Sequence, residues 1–256
     1  MNSSQTHPAV DCAAIATQLA RAWETRSFIP APSRTHPTLS KGDALDIAER
    51  VRALRIAAGD VPVGYKVGFT NAAVRAQFDA AGPLAAPVYD RTLLSAARVE
   101  AGALLGPRIE PEVVIGIAAD GSVGWAALGF EIVQSHVAGW EFGYLDAIAD
   151  FGLHAGLIVG ERRAIGGETA WLTAMQVRLL RDGRAVAYGA AADVDGGALG
   201  SLRWLRGDLQ RTGRALRAGE LVSTGSMTTV PEIAAGQRWT IEAIGAELAP
   251  LTIEVD

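Results

Sequence analysis

Apolar residues recur at helical spacing at the start of the chain and give way, after about residue 60, to short β-branched runs. Ile15, Leu19 and Trp23 are spaced by four, and Ile47, Val51 and Leu54 mark the face of a second helix. Ser40-Lys41-Gly42-Asp43 has the spacing of a capping box that opens this second helix. Residues 27–39 contain Pro30, Pro32 and Pro37 and are predicted to form a loop able to lie across another surface as an exposed arm. Strands are predicted at residues 113–117, 156–159, 176–180 and 239–244, with a hairpin turn at Arg181-Asp182-Gly183-Arg184. Two helices interrupt them, one over residues 143–150. The other covers residues 199–216, where Leu202, Leu205 and Leu209 share a face and Gly219 can end it. Strands do not alternate regularly with crossover helices, so the class is α+β rather than a doubly wound sheet. Without a long linker or internal repeat, residues 1–60 read as a helical segment of the same domain as a β-rich core over residues 61–256.

Composition narrows the function classes. The chain has 256 residues, 49% of them hydrophobic and 20% charged, enough to bury a sizeable core and too apolar for disorder. Net charge is −5 with no basic tract, which argues against nucleic acid as a partner. The single cysteine, Cys12, excludes an internal disulfide or a cysteine-built zinc site and fits a reducing cytoplasm. No secretory signal pattern and no membrane-length apolar run is visible, so a soluble cytoplasmic protein is expected. GxGxxG, GxxxxGK[ST] and GxSxG are all absent, which disfavours the usual nucleotide cradles and a serine hydrolase.

The sharpest local feature is Pro107-Arg108-Ile109-Glu110-Pro111-Glu112-Val113-Val114-Ile115. On a strand, Glu110 and Glu112 point to one face, where their mutual repulsion raises a carboxyl pKa unless a cation intervenes. Glu131 lies in a second apolar run, Leu128-Gly129-Phe130-Glu131-Ile132-Val133, and needs a partner there. The three acids either hold Mg²⁺ or Mn²⁺, or else the first two face solvent on an edge strand while Glu131 pairs with an arginine. Of the 23 basic residues only Lys41 and Lys66 are lysines, and Lys66 sits in the apolar stretch Val63-Gly64-Tyr65-Lys66-Val67-Gly68-Phe69. It is either a strand lysine reaching water or a buried ammonium that grips a substrate carboxylate or moves a proton. His7 and His36 lie in tail or loop sequence, whereas His136 and His154 flank the acidic region as candidate proton carriers. Asp146 and Asp150, four apart, read as a solvated helix stripe. Residues 223–229, Ser-Thr-Gly-Ser-Met-Thr-Thr, could offer backbone and hydroxyl donors to an anionic ligand, with Ser226 and Thr228 as substrate-binding candidates.

Gly64-Tyr65-Lys66-Val67-Gly68-Phe69-Thr70, Pro107-Arg108-Ile109-Glu110-Pro111-Glu112 and Phe130-Glu131-Ile132-Val133-Gln134-Ser135 together resemble the 2-keto-4-pentenoate hydratase and 4-oxalocrotonate decarboxylase family of the fumarylacetoacetate hydrolase superfamily. The resemblance continues through residues 146–150 and 216–226, so it covers nearly the whole chain in one order. It implies a mixed β-roll core, a divalent metal (Mg²⁺ or Mn²⁺) held by Glu110, Glu112 and Glu131, and Lys66 as an active-site lysine. Three segments depart from the family pattern: a shorter connection between Glu112 and Glu131, residues 86–92 after the lysine strand, and residues 149–154, which end in His154. They fall where substrate selection is expected.

The implied reaction is a metal-dependent lyase step on a short 2-oxo or 2-hydroxy-dienoic acid, with Lys66 and His154 as catalytic candidates. Hydration and decarboxylation share their metal chemistry and are not separated by these residues. A C–C bond hydrolase of an acylpyruvate, with His136 or His154 activating water, is the alternative, and an inactive oxo-acid-binding relative is a third reading. A homo-oligomer is expected from the resemblance and from the proline-rich segment.

Overall fold

Residues 9–256 are described by the computed structural model, so His7 lies outside the described residues. The chain opens with α1 (Cys12–Thr25), a single turn α2 (Pro32–Thr35) and α3 (Lys41–Ala57). Asp11 caps α1 by accepting from the Ala14 N–H, and Ser40 with Asp43 forms the capping box at the head of α3. Ile15 and Leu19 meet Ile47 and Val51 in an apolar seam that also takes in Ala149 and Phe151. The helical segment therefore packs onto the chain that leads to His154.

The remainder is β-rich. Its elements are β1 (Pro62–Gly68), α4 (Ala72–Gln77), β2 (Leu84–Tyr89), β3 (Leu93–Leu94), β4 (Arg98–Val99), β5 (Arg108–Ile117), β6 (Val123–Val133), α5 (Tyr144–Ala149) and β7 (His154–Val159). They continue as β8 (Arg163–Ala164), α6 (Trp171–Ala174), β9 (Gln176–Arg181), β10 (Arg184–Ala190), α7 (Gly197–Arg211), β11 (Leu221–Ser223), β12 (Arg238–Ile244) and β13 (Leu251–Val255). The larger sheet has the order β2-β1-β11-β5-β6-β7-β3, with β8 also on β6, and the smaller runs β10-β9-β12-β13-β4. Pairing is mixed: β1 with β11 and β3 with β7 are parallel, whereas β5, β6 and β7 are antiparallel neighbours. The architecture is the α+β class with a curled mixed sheet, as expected.

Alternation along β5 and β6 divides their residues between two environments. Ile109, Val113, Ile115, Leu128, Phe130 and Ile132 join Leu179, Trp239, Ile241 and Ile253 of the smaller sheet and Leu202, Leu205 and Leu209 of α7 in the main core. The opposite face carries Val114, with Val88, Leu157 and Leu221 packed around it, and the acids. Among the described residues no helix is long and apolar enough to cross a membrane.

Three expectations are corrected. Residues 27–39 are not a free arm: the Ile29 N–H donates to the His136 carbonyl, Ala31 and Pro32 are buried, and Ser33 is tied to Asp146. Asp146 and Asp150 are not a solvated stripe. Both are buried, because Asp146 accepts from the Ser33 and Gly143 N–H groups and Asp150 accepts from His136. Helix α7 ends at Arg211 rather than near Gly219, its last turn running into Thr212 and a left-handed Gly213.

The junction of β1 with β11 tolerates no side chain at Gly64. A Cβ there would lie 2.1 Å from the Leu221 carbonyl oxygen, in the strand pair that carries Lys66 and Ser223. Gly64→Ala is expected to destabilise the protein by about 3 kcal/mol through forced separation of these strands. Urea unfolding checks this, and a midpoint equal to wild type would contradict it.

Candidate metal centre

Backbone register creates the site. Across β5 and β6, Glu110 lies opposite Glu131 and Glu112 opposite Gly129, so the three acids share one face. One carboxylate oxygen from each lies within 4.8 Å of the others. Glu112 and Glu131 are fully buried, and Glu110 is partly exposed at the edge of the group. On the neighbouring pair, Lys66 of β1 lies opposite Ser223 of β11, and β11 pairs with β5. Lys66 Nζ comes to 3.3 Å from Glu131 Oε1. Lys66 is therefore the buried ammonium of the two readings, and Glu131 pairs with a lysine rather than an arginine.

Each acid is held differently. Glu112 accepts from the Ser223 hydroxyl and from the Gly225 N–H at 2.9 Å, both through Oε2. Two of the donors expected for an anionic ligand thus serve a protein carboxylate. Glu131 Oε1 faces His154 Nδ1 at 2.8 Å, and His154 Nε2 lies 3.0 Å from the Thr92 hydroxyl. Both ring nitrogens of His154 are engaged. Gly152 makes room for the lysine: it has φ +62°, and a Cβ would stand 2.8 Å from Ala86 Cβ and 3.1 Å from Lys66 Cε.

The electrostatics follow from burying three carboxylates beside one ammonium. Burial and the neighbouring Glu131 push Glu110 up to about 7, with Lys66 offsetting only part of the rise. Glu112 is pushed well above the usual carboxylate range by burial and by the charges of Glu131 and Glu110, despite its two donors. Burial works against Glu131 as well, but Lys66 and His154 outweigh it and hold this carboxyl below its ordinary value. Burial depresses Lys66, yet Glu131, Glu110 and Glu112 more than reverse the effect, so the ammonium stays charged. His154 is pushed down by burial, with Nδ1 against Glu131 and Nε2 against the Thr92 hydroxyl, whose own hydrogen points to the Tyr89 carbonyl.

Glu112 Oε1 and Glu131 Oε2 are buried with no hydrogen-bond partner. Two unpartnered carboxylate oxygens and a third acid within reach fit a hard divalent cation, which takes oxygen ligands and relieves their repulsion. Ser226 and Thr228 follow Gly225 on the same loop, but their hydroxyls donate to the carbonyls of Thr228 and Thr229. His136 is turned away, bound to Asp150, and lines a different cleft. Thr92 and Gly152 escaped the sequence reading. Their only signal was that both fall in segments departing from the family pattern.

This sheet order, with three acids on the inner face and a lysine two strands away, defines a fumarylacetoacetate hydrolase type of fold. The 4-oxalocrotonate decarboxylase from Pseudomonas putida G7, solved with magnesium and adipate, matches it with a TM-score of 0.90, covering 99% of this chain and 100% of that one at 23% identity. In sequence, a 2-keto-4-pentenoate hydratase from Paraburkholderia phymatum is 26% identical over 208 residues, 75% of this chain and 79% of that protein. A 4-oxalocrotonate decarboxylase from Pseudomonas sp. strain CF600 is also 26% identical, over 231 residues, 85% of this chain and 87% of that protein. No protein-family model matches the chain. The chain is thus a relative of the hydratases and decarboxylases that it resembles, and its kin are enzymes.

Cation binding must displace the protons that burial keeps on Glu110 and Glu112. The affinity for Mg²⁺ is therefore expected to rise with pH through about 7, the value to which Glu110 is pushed, with protons released on binding. Calorimetry in buffers of different ionisation enthalpy reads this directly. A pH-independent affinity without proton release would show that the acids are not the ligands.

Proposed function

We propose that this chain is a metal-dependent lyase acting on a short 2-oxo or 2-hydroxy-dienoic acid in aromatic-compound catabolism in the cytoplasm. It either hydrates a 2-hydroxypenta-2,4-dienoate-like substrate or decarboxylates a 4-oxalocrotonate-like one. The convergence of Glu110, Glu112 and Glu131 around two unpartnered buried oxygens, with Lys66 beside them, carries this reading. The three acids would hold Mg²⁺ or Mn²⁺, which supplies Lewis-acid stabilisation of the negative charge that develops on a 2-oxo acid in either reaction.

Residues of the chain supply the rest. Lys66, kept charged by the acids, is the clamp for a substrate carboxylate. His154 acts through Glu131: its Nδ1–H orients that carboxylate and keeps it ionised, while Thr92 fixes the ring. Ser226 and Thr228 would reach substrate only by rotating their hydroxyls away from the loop carbonyls. The C–C hydrolase alternative is less well supported, because His154 has no free nitrogen to activate water and His136 faces elsewhere. A homo-oligomer is proposed too, now on edge strand β10, where Val186 and Tyr188 are 45% and 67% exposed. Light scattering that finds a monomer at micromolar concentration would remove that part.

Purified protein with Mg²⁺ or Mn²⁺ is expected to consume a 2-hydroxydienoate, giving a hydrated keto acid, or a 4-oxalocrotonate-like acid, giving CO₂. Pyruvate and a free carboxylic acid from an acylpyruvate would favour the hydrolase. Tight substrate binding without turnover would favour an inactive relative.

Lys66→Met keeps the length and apolar stem of the side chain. It is expected to lower kcat/KM by about 100-fold or more, on the order of 3 kcal/mol of transition-state stabilisation. Metal affinity should not fall, because Lys66 competes with the cation for Glu131. Wild-type turnover by this variant would make Lys66 an ordinary buried ion-pair partner.

A further inference from the structure

Each of the two fully buried acids is held by one oxygen and leaves the other bare. Glu112 Oε2 accepts from the Ser223 hydroxyl and from the Gly225 N–H at 2.9 Å, whereas its Oε1 is buried with no hydrogen-bond partner. Glu131 repeats this division with different donors. His154 Nδ1 at 2.8 Å and Lys66 Nζ at 3.3 Å both lie against Oε1, and Oε2 is the buried oxygen without a partner. The same carboxylates are thus fixed on one side and open on the other.

The donors are themselves immobilised. Ser223 is fully buried on β11, between Lys66 of β1 and Val114 of β5. The far nitrogen of His154 lies 3.0 Å from the Thr92 hydroxyl. Thr92 is tied to one residue twice, accepting from the Tyr89 N–H at 3.0 Å and donating to the Tyr89 carbonyl at 3.1 Å. Turning a held oxygen toward a cation would therefore leave buried donors unpaired, which is costly. Glu110, at the partly exposed edge, is outside this restriction.

We propose that Ser223 and His154 are specificity-determining residues for the metal ion. With Gly225 and Lys66 they limit Glu112 and Glu131 to one oxygen each toward the cation, and so favour Mg²⁺ or Mn²⁺ over Ca²⁺. Mg²⁺ accepts few protein oxygens and fills its octahedral shell with water or substrate, whereas Ca²⁺ takes six to eight oxygens and gains from bidentate carboxylates. The inference rests on the metal reading above and concerns the residues that choose the ion, not those that bind it.

The test is calorimetric titration of the whole protein with Mg²⁺, Mn²⁺ and Ca²⁺ at one pH and without substrate. Wild type is expected to bind Mg²⁺ and Mn²⁺ about tenfold or more tightly than Ca²⁺. Ser223→Ala removes a donor from Glu112, and His154→Leu removes one from Glu131. Each should shrink the preference for Mg²⁺ over Ca²⁺ by about tenfold, whatever happens to the affinities themselves. His154→Asn keeps an N–H donor near the place of Nδ1 and should restore the wild-type ratio. Proton competition and loosened packing weaken all three ions together, so a merely structural role would leave the ratio unchanged. Absence of binding by all three ions would overturn the metal reading and this inference with it. Wild-type affinity for Ca²⁺ equal to or above that for Mg²⁺, or a ratio unchanged in Ser223→Ala and His154→Leu alike, would overturn this inference and leave the metal reading standing.

Discussion

Three carboxylates buried beside a single ammonium are the constraint from which the surrounding structure follows. Desolvation penalises each charge, and the acids repel one another, so the group is stable only if protons, donors or a cation compensate. The structure divides the acids by their means of compensation. Glu131 takes Lys66 and His154 and stays ionised, whereas Glu112 has two neutral donors and Glu110 stands at the edge, and both are pushed toward holding a proton. Each of the two buried acids still presents one oxygen without a partner. Lys66 balances one negative charge and cannot balance three, which is why a divalent cation fits better than a purely structural ion pair.

Strand order makes this cluster achievable. Hairpin pairing of β5 with β6 alone sets Glu110 opposite Glu131. Lys66 and Ser223 reach the acids because β11, from late in the chain, inserts between β1 and β5. That insertion requires the close backbone approach at Gly64, and the lysine stem requires the space at Gly152. The helices contribute indirectly: α1 and α3 bury Phe151 next to Gly152 and so hold the turn from which His154 points at Glu131.

Local patterns were legible in the sequence and long-range partners were not. The spacing of Glu110 and Glu112 identified a shared face because strand geometry is local, and the Ser40–Asp43 box was readable for the same reason. Asp146 and Asp150 were misread because their partners, Ser33 and His136, come from other segments. Helix periodicity says only which residues share a stripe, not whether a proline-rich segment covers it. The same limit applied to Thr92, an ordinary hydroxyl until the fold sets it against the far nitrogen of His154.

The choice between hydration and decarboxylation is not encoded in the acids, because both reactions build up charge on the same part of the substrate. The chain is 26% identical both to a hydratase and to a decarboxylase, so overall identity does not separate the two reactions either. Discrimination must instead come from groups that meet the far end of the substrate and decide whether water is admitted. In this chain Gly152 and His154 stand beside Lys66 and Glu131, and both belong to residues 149–154, one of the segments in which the sequence leaves the family pattern. His154 shows how such a departure acts: a ring now satisfies Glu131 and reaches back to Thr92, closing the wall behind the acid. On the proposed reading, the acids that would hold the metal and the residues that line their surroundings are different groups, joined through Glu131.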